Sequence, residues 1–140
     1  MYKFPIIRYR RFADVPLDAL EKLKFSVTLY DFDWRFLFIN RFARQELNRS
    51  SEELMHKCLW TEFPSLLDVP AFRQLKSGCE AGSVVRVETL FPLTAKRVSV
   101  TTCKLDDYYY LAVSVLPDKE QLIDELRSEL RRKSQEKFRQ

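Results

Sequence analysis

The stretch "LYDFDWRFLFINRFARQELNRSSEELMHKCLW", Leu29 to Trp60, decides the fold because it changes character so often over so short a distance. It opens as an aromatic-rich strand pattern that stops at Asn40. Asparagine is among the strongest N-cap residues, since its side-chain oxygen accepts an otherwise unpaired helix N–H. "RFARQEL" therefore starts a helix there, with Ala43 and Leu47 on one face. Asn48 tolerates the left-handed conformation that closes a helix. Ser50 and Glu53 stand at capping-box spacing and start "SEELM" as a second short helix. These tight stop and start signals predict short connected helices, not one long bundle helix. On the cap assignment alone, Asn40→Ala costs about 1 kcal/mol.

Upstream, "FSVTLYD" alternates, with Phe25, Val27 and Leu29 on one face and Ser26, Thr28 and Tyr30 on the other, a strand pattern. Asp31 and Asp33 supply turn chemistry, so "WRFLFIN" reads as the second strand of a hairpin. Its apolar residues fall on both faces, which calls for a cover on the outer side too. Before the hairpin, Leu17, Leu20 and Leu23 recur at three-residue spacing behind Pro16 and predict a short amphipathic helix. Downstream, a helical pattern covers "LLDVPAFRQLKSGCE". Three runs rich in β-branched and aromatic residues follow, "SVVRVETLF", "RVSVTTCKL" and "YYYLAVSVL", and read as an antiparallel meander. Beyond Pro117 a charged helix carries Ile123, Leu126 and Leu130 at coiled-coil spacing. The predicted architecture is α+β. A five-stranded antiparallel sheet carries short helices inserted after strand 2, with an N-terminal segment and helix over 1–22, a domain over 23–116 and an exit helix over 117–140.

The totals narrow the function classes. A chain of 140 residues fits one domain, and 46% hydrophobic residues with 14% aromatics can build its core. Only two glycines are present, which argues against phosphate-cradling loops. Cys58, Cys79 and Cys103 are odd in number, widely spaced and without a C-x-x-C pair, as expected of reduced thiols in a cytoplasmic protein. No apolar run is long enough to span a bilayer. The net charge of +4 gathers at the ends, around Lys3, Arg8, Arg10 and Arg11 and again after Arg127. Solvated termini and a charged coiled-coil surface explain it better than nucleic-acid binding, for which interleaved aromatics and a helix-turn-helix pattern are missing.

The order of elements, and the run "VTLYDFDWRFLFINRFARQELNRSSEELMHKCLWTEFP" within it, resembles the PAS domain family. Asp31 and Asn40 stand at the family's Asp and Asn positions, "NRSSEEL" looks like its "G-Y-S-R-E-E-L", and the likeness covers Leu23 to Leu116. Three departures stand out. Asn48 and His56 occupy positions where the family often has glycine, so the bends after the two short helices are expected to be made differently. "LPDKEQ" replaces the usual Asp-Ile-Thr, with Asp118 as the candidate substitute.

The resemblance implies a sensory or dimerisation module for signal transduction, as in two-component systems. Its cavity takes a small molecule, and its terminal helices relay change to an effector protein. Thr28, Tyr30, Phe38, His56, Trp60 and Phe72 are the candidate pocket residues. The helix in which the haem subgroup keeps its ligand contains no histidine here, and His56, the chain's one histidine, lies earlier. Cys58 lies near the reactive position of the flavin subgroup, but its neighbours do not match. Haem and flavin are therefore both disfavoured, the ligand is unknown, and no metal set is formed. No nucleophile stands with a base in reach, so the expectation is a non-catalytic protein. The alternative is a small nuclear-transport-factor-like enzyme or ligand-binding protein, a fold that begins with longer helices. The seam of the exit helix is short, so a homodimer is expected to add the N-terminal helix, through Leu17 and Leu20, and the outer face of the sheet. Whether the chain is an excised input domain or a complete small protein is open on this reading.

Overall fold

The computed structural model describes residues 8–117 and 119–138. Lys3 and Asp118, named above, lie outside them. The elements are α1 (Leu17–Glu21), β1 (Ser26–Tyr30), β2 (Phe36–Ile39), α2 (Arg41–Leu47), α3 (Ser51–Leu54), α4 (Leu59–Glu62), α5 (Pro70–Glu80), β3 (Val85–Phe91), β4 (Lys96–Lys104), β5 (Tyr109–Val115) and α6 (Lys119–Phe138). The strands form one antiparallel sheet in the order β2-β1-β5-β4-β3, so the last strand lies beside the first. The α+β architecture is the expected one. The helical pattern before β3 is in fact broken in two, a 3-10 turn over Pro64–Asp68 and then α5, which restarts at Pro70 with its fixed φ.

Asn40 binds three parts of the chain together. Its Oδ1 accepts from the Ala43 N–H, the cap, and also from the Val27 N–H on β1, both at 3.0 Å. Its Nδ2 donates to the carbonyls of Leu20 and Phe25 at 3.0 and 2.9 Å. The residue is fully buried. The cap value of about 1 kcal/mol therefore understates its role, because removing the side chain also takes away the acceptor of the buried Val27 N–H on β1. Ser50 begins α3 as expected, accepting from the Glu53 N–H at 3.2 Å. The Arg49 guanidinium, 2.7 Å away, and Ser50 hold the exposed Glu53 carboxyl below its usual range. Asn48 and His56 both adopt left-handed backbone, at φ 53° and 65°. The two bends are thus made in the same left-handed region that glycine favours, without glycine, which corrects the expectation of a different device.

A register shift in the β1–β2 hairpin explains the doubly apolar second strand. Leu29 pairs with Phe38, but Tyr30 pairs with Phe36, so Leu37 is the extra residue of a bulge. Phe36 and Ile39 consequently enter the cluster beneath the helices, while Leu37 and Phe38 face the other side. There a second cluster forms, in which Val15, Leu20, Val27, Leu29, Cys103 and Tyr110 are buried with Phe12 and Leu17 packed against them. The N-terminal segment is anchored over it. The Tyr108 hydroxyl donates to the Tyr9 carbonyl at 2.6 Å, and Arg10 pairs with Asp106 at 2.8 Å. Leu20 is thus covered within its own chain, while Leu17, Leu37 and Phe38 stay half-buried on this face, where a second copy was expected to add its contacts.

Candidate functional site

The parity of β1 builds the site. Val27 and Leu29 take the outer face, which leaves Ser26, Thr28 and Tyr30 pointing under the helices. They form one wall of a cavity of about 40 Å³ with Leu111, Val113 and Val115 of β5 and Val98 of β4. Ala43, Glu46 and Leu47 of α2 close another side, and Leu59, Leu66, Phe72 and Phe91 the rest. Since about 10–15 Å³ suffices for one water on this measure, the space holds a few water-sized molecules. A larger ligand fits only if lining residues shift to widen the space. The lining is largely apolar, with the hydroxyls of Ser26, Thr28 and Tyr30 and the Glu46 carboxylate as its polar points. The Thr28 hydroxyl donates weakly to the Leu111 carbonyl, at 3.4 Å. Burial drives the Tyr30 phenol far above its ordinary pKa, so it is a neutral hydrogen-bonding group here.

Three of the six expected pocket residues, Thr28, Tyr30 and Phe72, line this cavity. The other three do not. Phe38 lies across the sheet because of the bulge at Leu37. His56 is an exposed turn residue whose N–H donates to the Phe36 carbonyl, so its backbone explains its position. Trp60 is buried in an aromatic group beneath the hairpin turn, 5.2 Å edge-on to Trp34. Trp34 was not singled out by the sequence. It sits at φ 62° in the turn organised by Asp31, whose Oδ1 accepts from the N–H groups of Asp33 and Arg35 at 2.9 Å. Its ring lies 4.4 Å from that of Tyr109, and its indole N–H donates to Glu80 at 3.0 Å. Ser26, Leu111, Val113 and Val115 were also missed. For Ser26, Leu111 and Val113 the signal is visible in retrospect, as the second parity of two strand stretches buried on both faces.

The two side chains weighed for haem and flavin both lie away from the cavity. Cys58 is not among the cavity-lining residues; it precedes α4 and bridges to Arg35 at the hairpin. His56 points no ligand at the cavity, and α5 has no histidine. Among the described residues, no group of three His, Cys, Asp or Glu side chains is placed to hold a metal ion.

No protein-family model matches the chain, and no curated protein does. Solved structures do. The photoactive yellow protein domain of the sensor histidine kinase Ppr from Rhodospirillum centenum superposes with a TM-score of 0.60 at 18% identity, covering 73% of this chain and 94% of that one. A fungal LOV domain photoreceptor gives 0.57 at 18% identity, covering 79% and 86%. The PAS domain of the Cronobacter turicensis RpfR quorum-sensing receptor, solved in complex with BDSF, gives 0.55 at 12% identity, covering 69% and 97%.

Proposed function

From the PAS-type fold that this chain has, we propose that it is a non-catalytic sensory unit, in which occupancy of the cavity is relayed through β5 to α6. The observation that carries this reading is the position of Val115. It lines the cavity, it is the last residue of β5, and α6 begins at Lys119. A ligand that pushes on Val113 and Val115 therefore acts within a few residues of the exit helix. The Leu116 N–H, bonded to the Arg97 carbonyl at 2.8 Å, is the last backbone tether among the described residues before that helix. Ligand binding that favours one position of this junction shifts a population, and the differential affinity for the two positions sets the size of the shift. The ligand class that suits the lining is small and mainly apolar, with one polar group for the buried hydroxyls. Ile123, Leu126 and Leu130 are exposed on α6 and offer a short apolar seam to an effector or a second copy.

The test is a screen of small apolar alcohols, amides and acids against the purified chain by backbone NMR. Binding should move the amide signals of Thr28, Leu111 and Val115 together with those at the start of α6. Ligands that perturb the cavity and leave α6 unmoved would defeat the relay, and the absence of any ligand addressing the cavity would defeat the sensing.

A further inference from the structure

The two edges of the sheet are treated differently. At the β2 edge the chain covers itself, with the Phe36 N–H donating to the Lys57 carbonyl and the His56 N–H to the Phe36 carbonyl, both at 3.0 Å. At the β3 edge no described residue hydrogen-bonds from the free side. β3 runs unbroken in register with β4 from Val85 to Phe91. The Phe91 carbonyl turns into the hairpin loop, accepting from the Ala95 N–H at 2.8 Å. By alternation, the N–H and C=O groups of Arg86, Glu88 and Leu90 point to the open edge. The strand lacks proline, lysine and a bulge, three of the usual blunting devices, and its charges, Arg86 and Glu88, are of opposite sign.

The side chains along this edge are complementary to themselves. We propose that β3 is the docking edge for a second copy of this chain, pairing antiparallel about Val87. That register sets Arg86 opposite Glu88 of the other copy, and Glu88 opposite its Arg86. Val84 meets Leu90, and Leu90 meets Val84. These last two are among the largest exposed apolar groups of the described residues, at 66% and 55%. The backbone agrees with the side chains, because Arg86 and Glu88 both present outward N–H and C=O groups and can exchange both bonds as an opposed pair. Arg86 and Glu88 each have a modest partner within the chain, Ser99 at 3.1 Å and Arg97 at 3.9 Å, and both lie on the exposed side of the strand. The product is a continuous ten-stranded sheet with a two-fold axis through Val87. One such seam buries less than the roughly 1,600 Å² of a standard interface, so the association is weak and concentration-dependent. This inference goes beyond the sensory reading and stands apart from it, since it names where copies meet and not what the cavity holds.

The experiment is sedimentation of the full chain over a concentration series reaching several hundred micromolar, with Glu88→Arg, Arg86→Glu and an equal mixture of the two. The expected result is a monomer–dimer equilibrium weakened about tenfold by either reversal, which sets like charges opposite each other twice. The mixture should recover it, because one variant then offers two arginines to the other's two glutamates. Should a variant fail to fold, amide exchange on the unaltered chain reads the same contact, with the Arg86 and Glu88 N–H groups slowing as concentration rises. A chain that is monomeric throughout, or a dimer indifferent to the reversals with no slowing on β3, overturns the proposal. Either result leaves the sensory reading to be decided separately, by the ligand-induced shifts at Val115 and α6.

Discussion

Asn40 shows how much one side chain decides here. As a cap it serves one N–H, but with four bonds it also fixes β1 and the α1–β1 connection. Asn40→Ala is expected to lower stability by about 3 kcal/mol in urea titration, well above an ordinary cap, because the buried Val27 and Ala43 N–H groups lose their acceptor together. Asn40→Asp should be no better, since a carboxylate cannot donate to the two carbonyls and its charge is buried. The thiols make a second prediction at this scale. Burial pushes Cys79 up to about 12 and Cys103 up to about 11, from 9.0. A raised folded value favours the neutral, folded form below the unfolded pKa and loses that contribution as pH rises through the folded one. Stability should therefore fall from about pH 9 upward, which pH-dependent denaturation measures. At neutral pH, Ellman's reagent should find Cys58, half-buried, before the other two.

At the scale of elements, two leucine-bearing segments that look alike in sequence have different fates. Leu20 on α1 is buried against the outer face of the sheet, whereas Leu126 on α6 is 52% exposed. Leu20→Ala should cost about 2–5 kcal/mol, the range for a buried large-to-small change. Leu126→Ala should change the monomer's stability by less than about 0.5 kcal/mol. Thermal denaturation of the two variants at low protein concentration checks the contrast. Spacing alone could not separate them, because three-residue periodicity marks a helix's apolar face and not what lies against it. The second strand teaches the same lesson. "WRFLFIN" announced apolar groups on both faces, but the bulge that sends Leu37 and Phe38 outward depends on pairing with β1, a tertiary fact.

For the molecule as a whole, the helix starts at Asn40 and Ser50, the turn at Asp31 and the three-strand meander were all legible, because capping and turn chemistry are local. The cavity was only half legible. Thr28, Tyr30 and Phe72 were readable as apolar or hydroxyl-bearing residues in wall elements, whereas Phe38, His56 and Trp60 were misplaced by a bulge, a left-handed turn and an aromatic cluster centred on Trp34. Val115 escaped notice because nothing in a strand's own sequence says that its last residue borders a space. The internal volume beside it has a thermodynamic signature. Unfolding abolishes internal space, so hydrostatic pressure drives the chain toward the denatured state in proportion to the void it carries. A bound molecule that fills the space, or Ala43→Val, which reduces it, should shrink the contraction on unfolding. High-pressure fluorescence can thus count how full the protein is, even before anyone knows what fills it.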